Sequence, residues 1–298
     1  MNDFKKRATA LQTSIRKHTG CYVVSDPSNV RWLTGLDLDE RTRLVVTACS
    51  IYALTDACYT ALIRRERAAL KVVETRGHFS DALCRLVRRS GIRKVFVETD
   101  GLLYTDYTKI RTALQGRPVV FDRGIVRAFR AVKYSDEIRA VRAAAKAGDR
   151  ALTETLGMLC PPLPTEKKFA AELACSIRRQ GAEGTSFPTI AASGPRTAYP
   201  HSVPGDRKIS ANSILLVDWG VRRSMYCSDC TRCFLIGNPG PKLRDIYKIV
   251  LEANEAAVDR AAPGTPLSEI DAAARAVIDR YGYGQNFNHA TGHGVGLE

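Results

Sequence analysis

Two aspartates in the second half of the chain are spaced so that they could form a metal site. Asp218 ends the apolar run 214–217, and Asp229 lies inside a second β-rich run, 226–232. The polar residues between the runs predict a hairpin. A turn centred on residues 223–224 would place the two aspartates face to face, with Cβ atoms about 4.5–5.5 Å apart. Opposed carboxylates repel each other, and the apolar surroundings expected for Asp218 add to that penalty. A bound cation would remove it.

Two facing carboxylates can also bridge a pair of metal ions, which lie about 3.5–4 Å apart in dinuclear hydrolases. The residues leave two other arrangements open. Both aspartates point into solvent at a strand end, or the register of the hairpin is shifted.

Three histidines lie in the last third of the chain, His201, His289 and His293. The segment 287–296 carries glycine at alternate positions, which disfavours a helix and suits an extended strand with one face free of side chains. In that strand His289 and His293 would share the opposite face. A glycine-rich loop with incidental histidines is the alternative. His201 follows a proline in the turn-rich stretch 193–202. A single histidine in a loop is usually just an exposed side chain, and His201 is a candidate only because the other motifs accompany it.

The spacing of Cys227, Cys230 and Cys233 invites a zinc interpretation. Strand periodicity opposes it, because Cys227 and Cys233 would lie on one face and Cys230 on the other. No second Cys or His pair at ribbon spacing accompanies them. We therefore expect cysteines that fill a sheet.

The composition of the chain indicates its compartment and its classes of partner. The nine cysteines follow no framework pattern, which suits reduced thiols in the cytoplasm. The N-terminus lacks the apolar core of a signal peptide, and no run approaches the ~20 apolar residues of a membrane span. The formal net charge of +14 comes from scattered basic residues without a recognition helix or finger spacing. We expect neither a membrane nor nucleic acid as a partner.

The elements that must position these residues fall into two groups. The first part of the chain alternates helical and strand-like segments, which predicts an α/β domain. Its β-rich runs are 21–24, 44–46 and 95–97, and its clearest helical stripe is 81–89. Long helical stripes replace this pattern from about residue 131. We expect two domains, 1–130 and 131–298.

The second domain combines helices with a strand-rich stretch that begins near Phe187. Ser135, Thr165 and Thr265 are the candidate N-caps of three of its helices. The prolines within 161–164 end the first of these helices, which is expected to run to about Met158.

Several motifs occur in a characteristic order: Asn29-Val30-Arg31-Trp32-Leu33-Thr34-Gly35, Phe187-x-x-Ile190-x-x-Ser193-Gly194, Pro200-His201, Val217-Asp218-Trp219-Gly220, Tyr226-x-Ser228-Asp229-x-Thr231-Arg232, and Thr291-Gly292-His293-Gly294-Val295-Gly296-Leu297. Together they resemble the Xaa-Pro peptidases, in the superfamily of aminopeptidase P, prolidase and creatinase. The resemblance implies a creatinase-type N-terminal α/β domain followed by an α+β pita-bread catalytic domain.

The resemblance also implies roles for the candidate residues. Asp218, Asp229 and His293 would bind divalent metal ions, two per site in complete relatives, with manganese, cobalt, iron or zinc as candidates. His201 and His289 would lie beside the substrate, help to bind it and stabilise the tetrahedral intermediate.

The implied activity is metal-dependent hydrolysis of the bond between the first residue of a peptide and a proline in second place. The implied partners are proline-containing peptides and a second copy of the chain. The family completes its site with two glutamates that would follow Glu298, so we expect a truncated catalytic domain with three of five ligands and impaired activity. The alternatives are a non-catalytic peptide-binding or protein-binding relative and a metal-free, creatinase-like amidinohydrolase.

Overall fold

The computed structural model describes residues 2–16, 20–122 and 124–298. The chain divides into two compact units, residues 1–133 and residues 134–296. None of the helices in the described ranges has both the length and the apolar character needed to cross a membrane.

The first unit combines a mixed β-sheet with helices. Its strands are β1 (Gly20–Val24), β2 (Arg43–Val46), β3 (Ile51–Thr55), β4 (Lys71–Glu74), β5 (Lys94–Glu98) and β6 (Val119–Asp122). Its helices are α1 (Asn2–Arg16), α2 (Pro27–Thr34), α3 (Ala57–Glu66), α4 (Phe79–Arg89), α5 (Tyr104–Ala113) and α6 (Ile125–Ala131). The strand order is β4-β3-β2-β1-β5-β6, with β1 antiparallel to β2 and parallel to β5. The predicted strands and the predicted helix in this half are all present.

The core of the first unit follows from helical and strand periodicity. Leu83 and Val87 recur one turn apart on α4 and are fully buried. They belong to the same apolar cluster as Val23 on β1 and as Val95 and Val97 on β5. The helix therefore covers the centre of the sheet.

A buried carboxylate, that of Glu98, accepts hydrogen bonds from residues at the start of α2. Glu98 is 3% exposed, and its Oε2 accepts hydrogen bonds from the N–H groups of Ser25 and Asp26 at 2.7 and 2.8 Å. Its Oε1 accepts from Asn29 Nδ2 at 2.8 Å. Burial raises the pKa of Glu98 to about 7, although these hydrogen bonds oppose the shift.

The second unit places helices beside short antiparallel strands. Its strands are β7 (Gly184–Thr185), β8 (Ile190–Ser193), β9 (Ser213–Trp219), β10 (Val221–Arg223), β11 (Tyr226–Cys227) and β12 (Cys230–Ile236). Its helices are α7 (Ser135–Leu156), α8 (Glu166–Arg179), α9 (Pro241–Arg260) and α10 (Leu267–Arg280), with 3₁₀ helices at Gly194–Ala198 and Gly284–Asn286. Within the described residues, the strands are ordered β12-β9-β8 and β11-β10-β7.

Helix α7 packs closely on β9. Leu215, Val217 and Trp219 alternate along this strand, are buried, and share an apolar cluster with Ala147 of α7. Gly148 permits the close approach, since a Cβ atom there would lie 2.8 Å from Trp219 Nε1. The two remaining helices, α9 and α10, pack against each other around an apolar cluster of their own.

The structure confirms one predicted N-cap and corrects another. The side chain of Thr165 accepts a hydrogen bond from the Lys168 N–H, as expected for the cap of α8. Ser135, in contrast, is the first residue of α7, and Tyr134 is its cap. The carboxylate of Glu137 accepts a hydrogen bond from the Tyr134 N–H at 2.9 Å, which moves the start of the helix by one residue.

Two further helix boundaries differ from the prediction. Helix α10 has Pro266 at its cap position, and Thr265 does not cap it. Helix α7 ends at Leu156 rather than near Met158, because Gly157 closes its last turn with an N–H bonded to the preceding carbonyls.

The hairpin between β10 and β11 turns one residue later than predicted. Ser224 and Met225 occupy its two turn positions with φ of 51° and 69°, and Arg223 pairs with Tyr226. Two consecutive residues in the left-handed backbone conformation form a tight turn whose twist matches that of the flanking strands. The Met225 N–H donates to both carboxylate oxygens of Glu183 at 3.2 Å, which helps to hold this strained residue.

The later turn shifts the register of the longer hairpin by two residues. Asp218 on β9 lies opposite Thr231 on β12, and Trp219 lies opposite Cys230. The predicted direct pairing of Asp218 with Asp229 is therefore wrong. Asp229 lies two residues before Thr231, in the short break between β11 and β12.

Candidate functional site

Asp218 lies on the side of β9 that faces away from the apolar core. Burial alternates along this strand: Leu215, Val217 and Trp219 are buried, whereas Leu216 and Asp218 are half-buried. Successive side chains of a strand point to opposite faces. Because Val217 and Trp219 point into the core, Asp218 between them points to the other face of the sheet.

The other candidate residues gather around Asp218. Its Oδ1 accepts a hydrogen bond from Thr231 Oγ1 at 2.9 Å. Burial raises the pKa of Asp218, the Thr231 hydrogen bond opposes this, and the nearby negative charge of Asp229 raises it further. His293 and His201 are also close enough for their charges to lower the pKa of Asp218. The structure thus brings together four of the five residues that the sequence singled out.

Asp229 and His293 are in direct contact, with His293 Nε2 3.2 Å from Asp229 Oδ2. The other ring nitrogen, Nδ1, lies 3.0 Å from the Gly294 carbonyl oxygen. A carbonyl only accepts hydrogen bonds, so Nδ1 carries the proton and Nε2 of a neutral ring presents a lone pair. Two lone-pair atoms this close need a proton or a cation between them.

The donor set suits a divalent first-row cation. Within the ranges that the structure describes, no group of three or more His, Cys, Asp or Glu side chains lies close enough together to hold a metal ion. Asp218, Asp229 and His293 nevertheless supply two carboxylates and an imidazole, which are the ligand types such ions take. Two of these donor atoms, on Asp229 and His293, already lie 3.2 Å apart. The three residues therefore have the donor types that a metal ion needs, and two of them also have the proximity.

Gly220 shapes the bend between β9 and β10, two residues after Asp218. A Cβ atom at this position would collide with Ser186 Oγ and with the carbonyl oxygen of Ser228. The Gly220 carbonyl accepts a hydrogen bond from Ser186 N at 3.1 Å, and Ser186 Oγ donates to the Ser228 carbonyl at 2.9 Å. The absent side chain allows three segments to meet beside Asp218 and Asp229.

His201 is exposed on the loop that follows the 3₁₀ helix Gly194–Ala198. Two large apolar side chains of the same loop are also exposed, Tyr199 at 68% and Val203 at 76%. The loop therefore presents an imidazole flanked by apolar groups, next to Asp218.

The strand predicted for 287–296 is absent: the described residues 288–298 contain no helix or strand. The alternative of a glycine-rich loop is the one observed. His289 is exposed, contacts the ring of Phe287 edge-on at 4.8 Å between centroids, and has Nδ1 2.8 Å from the Ala290 carbonyl oxygen. These side-chain contacts of His289 lie within its own loop, and its place beside the substrate stays a prediction.

Two residues of α10 hold this loop, and the sequence did not single them out. Arg275 donates to the carbonyl oxygens of Phe287 and His289 at 2.8 and 2.6 Å. Asp271 Oδ1 accepts from the Thr291 N–H at 2.9 Å and from its hydroxyl at 2.7 Å. Hydrogen bonds from Arg275 and then from Thr291 lower the pKa of Asp271 to about 2. An Asp and an Arg at i, i+4 on one helix face were the only signal available.

The three neighbouring cysteines are free thiols. Burial raises the pKa of Cys230 and of Cys233, which disfavours the thiolate form that binds zinc. This agrees with the interpretation of these cysteines as sheet-filling residues.

The family assignment rests on two domain models. Residues 7–132 match the creatinase/prolidase N-terminal domain, and residues 139–298 match metallopeptidase family M24. The chain belongs to metallopeptidase family M24. Within M24 it groups with the Xaa-Pro peptidases, and the predicted fold, a creatinase-type domain followed by a pita-bread domain, is confirmed.

Individual relatives agree with this assignment. The chain is 31% identical to the uncharacterized peptidase YqhT of Bacillus subtilis over 276 residues, which cover 93% of this chain and 78% of YqhT. It is 39% identical over 174 residues to a Xaa-Pro dipeptidase of Pyrococcus horikoshii, covering 58% of this chain and 49% of the dipeptidase. The Xaa-Pro dipeptidase structure from Bacillus anthracis superposes with a TM-score of 0.92 at 29% identity, covering 99% of this chain and 82% of that one. The match to the Pyrococcus enzyme thus spans about half of its length.

Proposed function

We propose that this M24 protein is a metal-dependent peptidase that hydrolyses the bond between an N-terminal residue and a proline in second place. The observation that carries the proposal is the gathering of Asp229, His293 and His201 around Asp218 on the open side of β9. The solved relative with the same fold is named a Xaa-Pro dipeptidase, which supports this substrate class.

Asp218, Asp229 and His293 are the residues that would hold the metal. When bound, divalent ions of this kind polarise a carbonyl and provide a water nucleophile near neutral pH. Manganese, cobalt, iron and zinc all suit these donors.

The other residues would act on the peptide. His201 carries an imidazole in the neighbourhood of Asp218, and it would donate a hydrogen bond to the developing oxyanion. The exposed side chains of Tyr199 and Val203 flank it and provide an apolar surface for a proline ring. His289 has Nδ1 bonded to a carbonyl, so its Nε2 is free to accept a hydrogen bond from the peptide.

The test is hydrolysis of an Ala-Pro dipeptide and an Ala-Pro-Ala tripeptide by the 298-residue chain, with Mn²⁺ or Co²⁺ added. We expect turnover that a chelator abolishes, that falls at least a hundredfold in Asp229→Ala, and that is retained in Asp259→Ala. Asp259 is an exposed aspartate of α9 and serves as the matched control. An Ala-Ala-Ala peptide should be a poor substrate, and the ratio of the two proline peptides distinguishes a dipeptidase from an aminopeptidase.

Two results would contradict the proposal. Turnover that persists in the chelator and in Asp229→Ala would indicate a metal-free hydrolase. Binding of the proline peptides by folded chain without any turnover would indicate a non-catalytic relative.

We also place the protein in the cytoplasm. Its nine cysteines are free thiols, and four of them are exposed, which suits a reducing compartment. Alkylation of the expressed chain in denaturant, followed by mass spectrometry, checks this, since all nine cysteines should be alkylated without prior reduction.

A further inference from the structure

Both ends of the loop that carries His201 are hydrogen-bonded to one buried side chain, that of Glu166. This residue is the first of α8 and is fully buried. Its Oε1 accepts a hydrogen bond from the Ser193 N–H at 2.8 Å, where the loop leaves β8. Its Oε2 accepts from the Gly205 N–H at 3.2 Å, where the loop returns. One carboxylate therefore closes both ends of the loop.

Arg196, a residue of the same loop, contacts both Glu166 and the far side of the loop. Its Nε lies 3.1 Å from Glu166 Oε2, and its Nη2 donates to the Val203 carbonyl oxygen at 2.5 Å. The Lys167 N–H adds a backbone hydrogen bond to the Gly205 carbonyl at 2.9 Å. These contacts connect the N-terminal turn of α8 to both sides of His201.

The middle of the loop is mostly exposed, and Ser202 is its one buried residue between positions 198 and 203. Tyr199, His201 and Val203 are all exposed. The position of the imidazole relative to Asp218 then depends mainly on the tethers at the two ends of the loop, together with Arg196 and the buried Ser202. A fully buried carboxylate is costly unless its partners are in place, so loss of its charge should loosen the loop.

We propose that Glu166 is a positioning residue for the peptidase reaction: it fixes the 194–204 loop and so holds His201 beside Asp218. This inference rests on the proposed function for the role of His201, but the tethering itself does not. A carboxylate suits the role better than an amide because its two oxygens accept from Ser193 and Gly205 while its negative charge pairs with Arg196.

The tethering is tested without metal or substrate, by nuclear magnetic resonance of the chain labelled at histidine and in the backbone. His201→Gln identifies the His201 ring signal. In Glu166→Gln we expect a changed His201 ring shift and at least tenfold faster exchange of the Ser193 and Gly205 amide hydrogens. The ring signal of His78 in the first unit should stay unchanged. Glu172→Gln, at a half-buried position of the same helix whose ion pair is with Arg179, is the matched control.

The kinetic test uses the same variants on the Ala-Pro peptide. We expect Glu166→Gln to lower kcat about tenfold to a hundredfold with a smaller change in KM, because displacement of a reacting group by about 1 Å costs that much. Arg196→Met serves as a second variant, since it leaves the Glu166 carboxylate in place, and it should show the same changes to a smaller extent. Unchanged His201 signals and amide exchange in both variants would overturn the inference. Absence of turnover in the unaltered chain would instead overturn the proposed function, and the resonance data would still decide the tethering.

Discussion

Thr231 lies directly opposite Asp218 across the β9–β12 ladder and donates its hydroxyl hydrogen to Asp218 Oδ1 at 2.9 Å. The pairing follows from the tight Ser224–Met225 turn, which sets the register. Thr231 therefore occupies the position that the sequence had suggested for Asp229. A hydroxyl there orients one carboxylate oxygen of Asp218 and leaves the other available for a cation.

Removal of that hydroxyl should weaken metal binding without unfolding the hairpin. Thr231→Val keeps the branched shape and should lower Mn²⁺ affinity and peptide hydrolysis about tenfold, because partners that orient a metal ligand typically contribute 10–100-fold. Thr231→Ser retains the donor and should stay within a factor of three. Calorimetric titration with Mn²⁺ measures the affinity. Equal affinity in Val and Ser variants would contradict the orienting role.

Gly220 should tolerate no side chain. Gly220→Ala places a Cβ atom against Ser186 and Ser228, so we expect a loss of at least about 2 kcal/mol in the free energy of unfolding and loss of hydrolysis. Urea denaturation followed by circular dichroism measures the first effect. Gly240→Ala is the control, because its Cβ atom would meet nothing within 4 Å. Similar stability of the two variants would show that the bend can relax.

The Asp271 contacts should restrain the loop from His289 to His293. In Asp271→Ala the Thr291 amide loses its acceptor, and we expect its hydrogen exchange to accelerate at least tenfold while exchange in β9 and β12 stays unchanged. Hydrogen exchange with mass spectrometry measures both regions. Glu255→Ala, at an exposed position of α9, should leave both unaltered. Unaltered protection of Thr291 in Asp271→Ala would mean that Arg275 alone holds the loop.

Glu98 should make the first unit less stable at alkaline pH. Its pKa is about 7 in the folded chain against 4.5 as the ordinary value, so the folded state binds this proton more tightly than the unfolded state. The stabilisation is complete below about pH 4.5 and is lost as the pH rises through 7. A shift of this size corresponds to about 3 kcal/mol.

The pH dependence can be assigned by comparing variants. Glu98→Gln cannot ionise, so it should flatten the change in stability between pH 5 and pH 8, measured by hydrogen exchange of the Val95 and Val97 amides. Glu40→Gln, at an exposed position, should keep the slope of the unaltered chain. An equal slope in Glu98→Gln would assign the pH dependence to other groups.

Much of the architecture could be predicted from periodicity and motif order. The strands and helix expected in the first unit exist, and the motif set indicated the correct family and both of its domains. Continuous apolar runs were sufficient to predict β1 and β2, which are buried along nearly their whole length, and helical spacing was sufficient to predict α4, which buries one face.

The details of the site were harder to predict for two physical reasons. A one-residue change in a turn moves the pairing by two, and nothing in Ser224 or Met225 marks a left-handed conformation as Asn or Gly would. The loop from 288 onward is held by Asp271 and Arg275, which are long-range contacts that no local pattern encodes. Glu166 was missed for the same reason, since its partners lie 27 and 39 residues further along the chain.

The central claim is that Asp218, Asp229 and His293 hold a divalent cation, and the most direct test is calorimetric titration of the 298-residue chain with Mn²⁺ and Co²⁺. We predict saturable binding of at least one ion, weakened at least tenfold in Asp229→Ala and in His293→Ala and unchanged in Asp259→Ala. Co²⁺ should also produce a visible absorption band that both ligand variants lose. Binding that is equal in the ligand variants and the Asp259→Ala control, or absent from a chain shown to be folded, would contradict the claim.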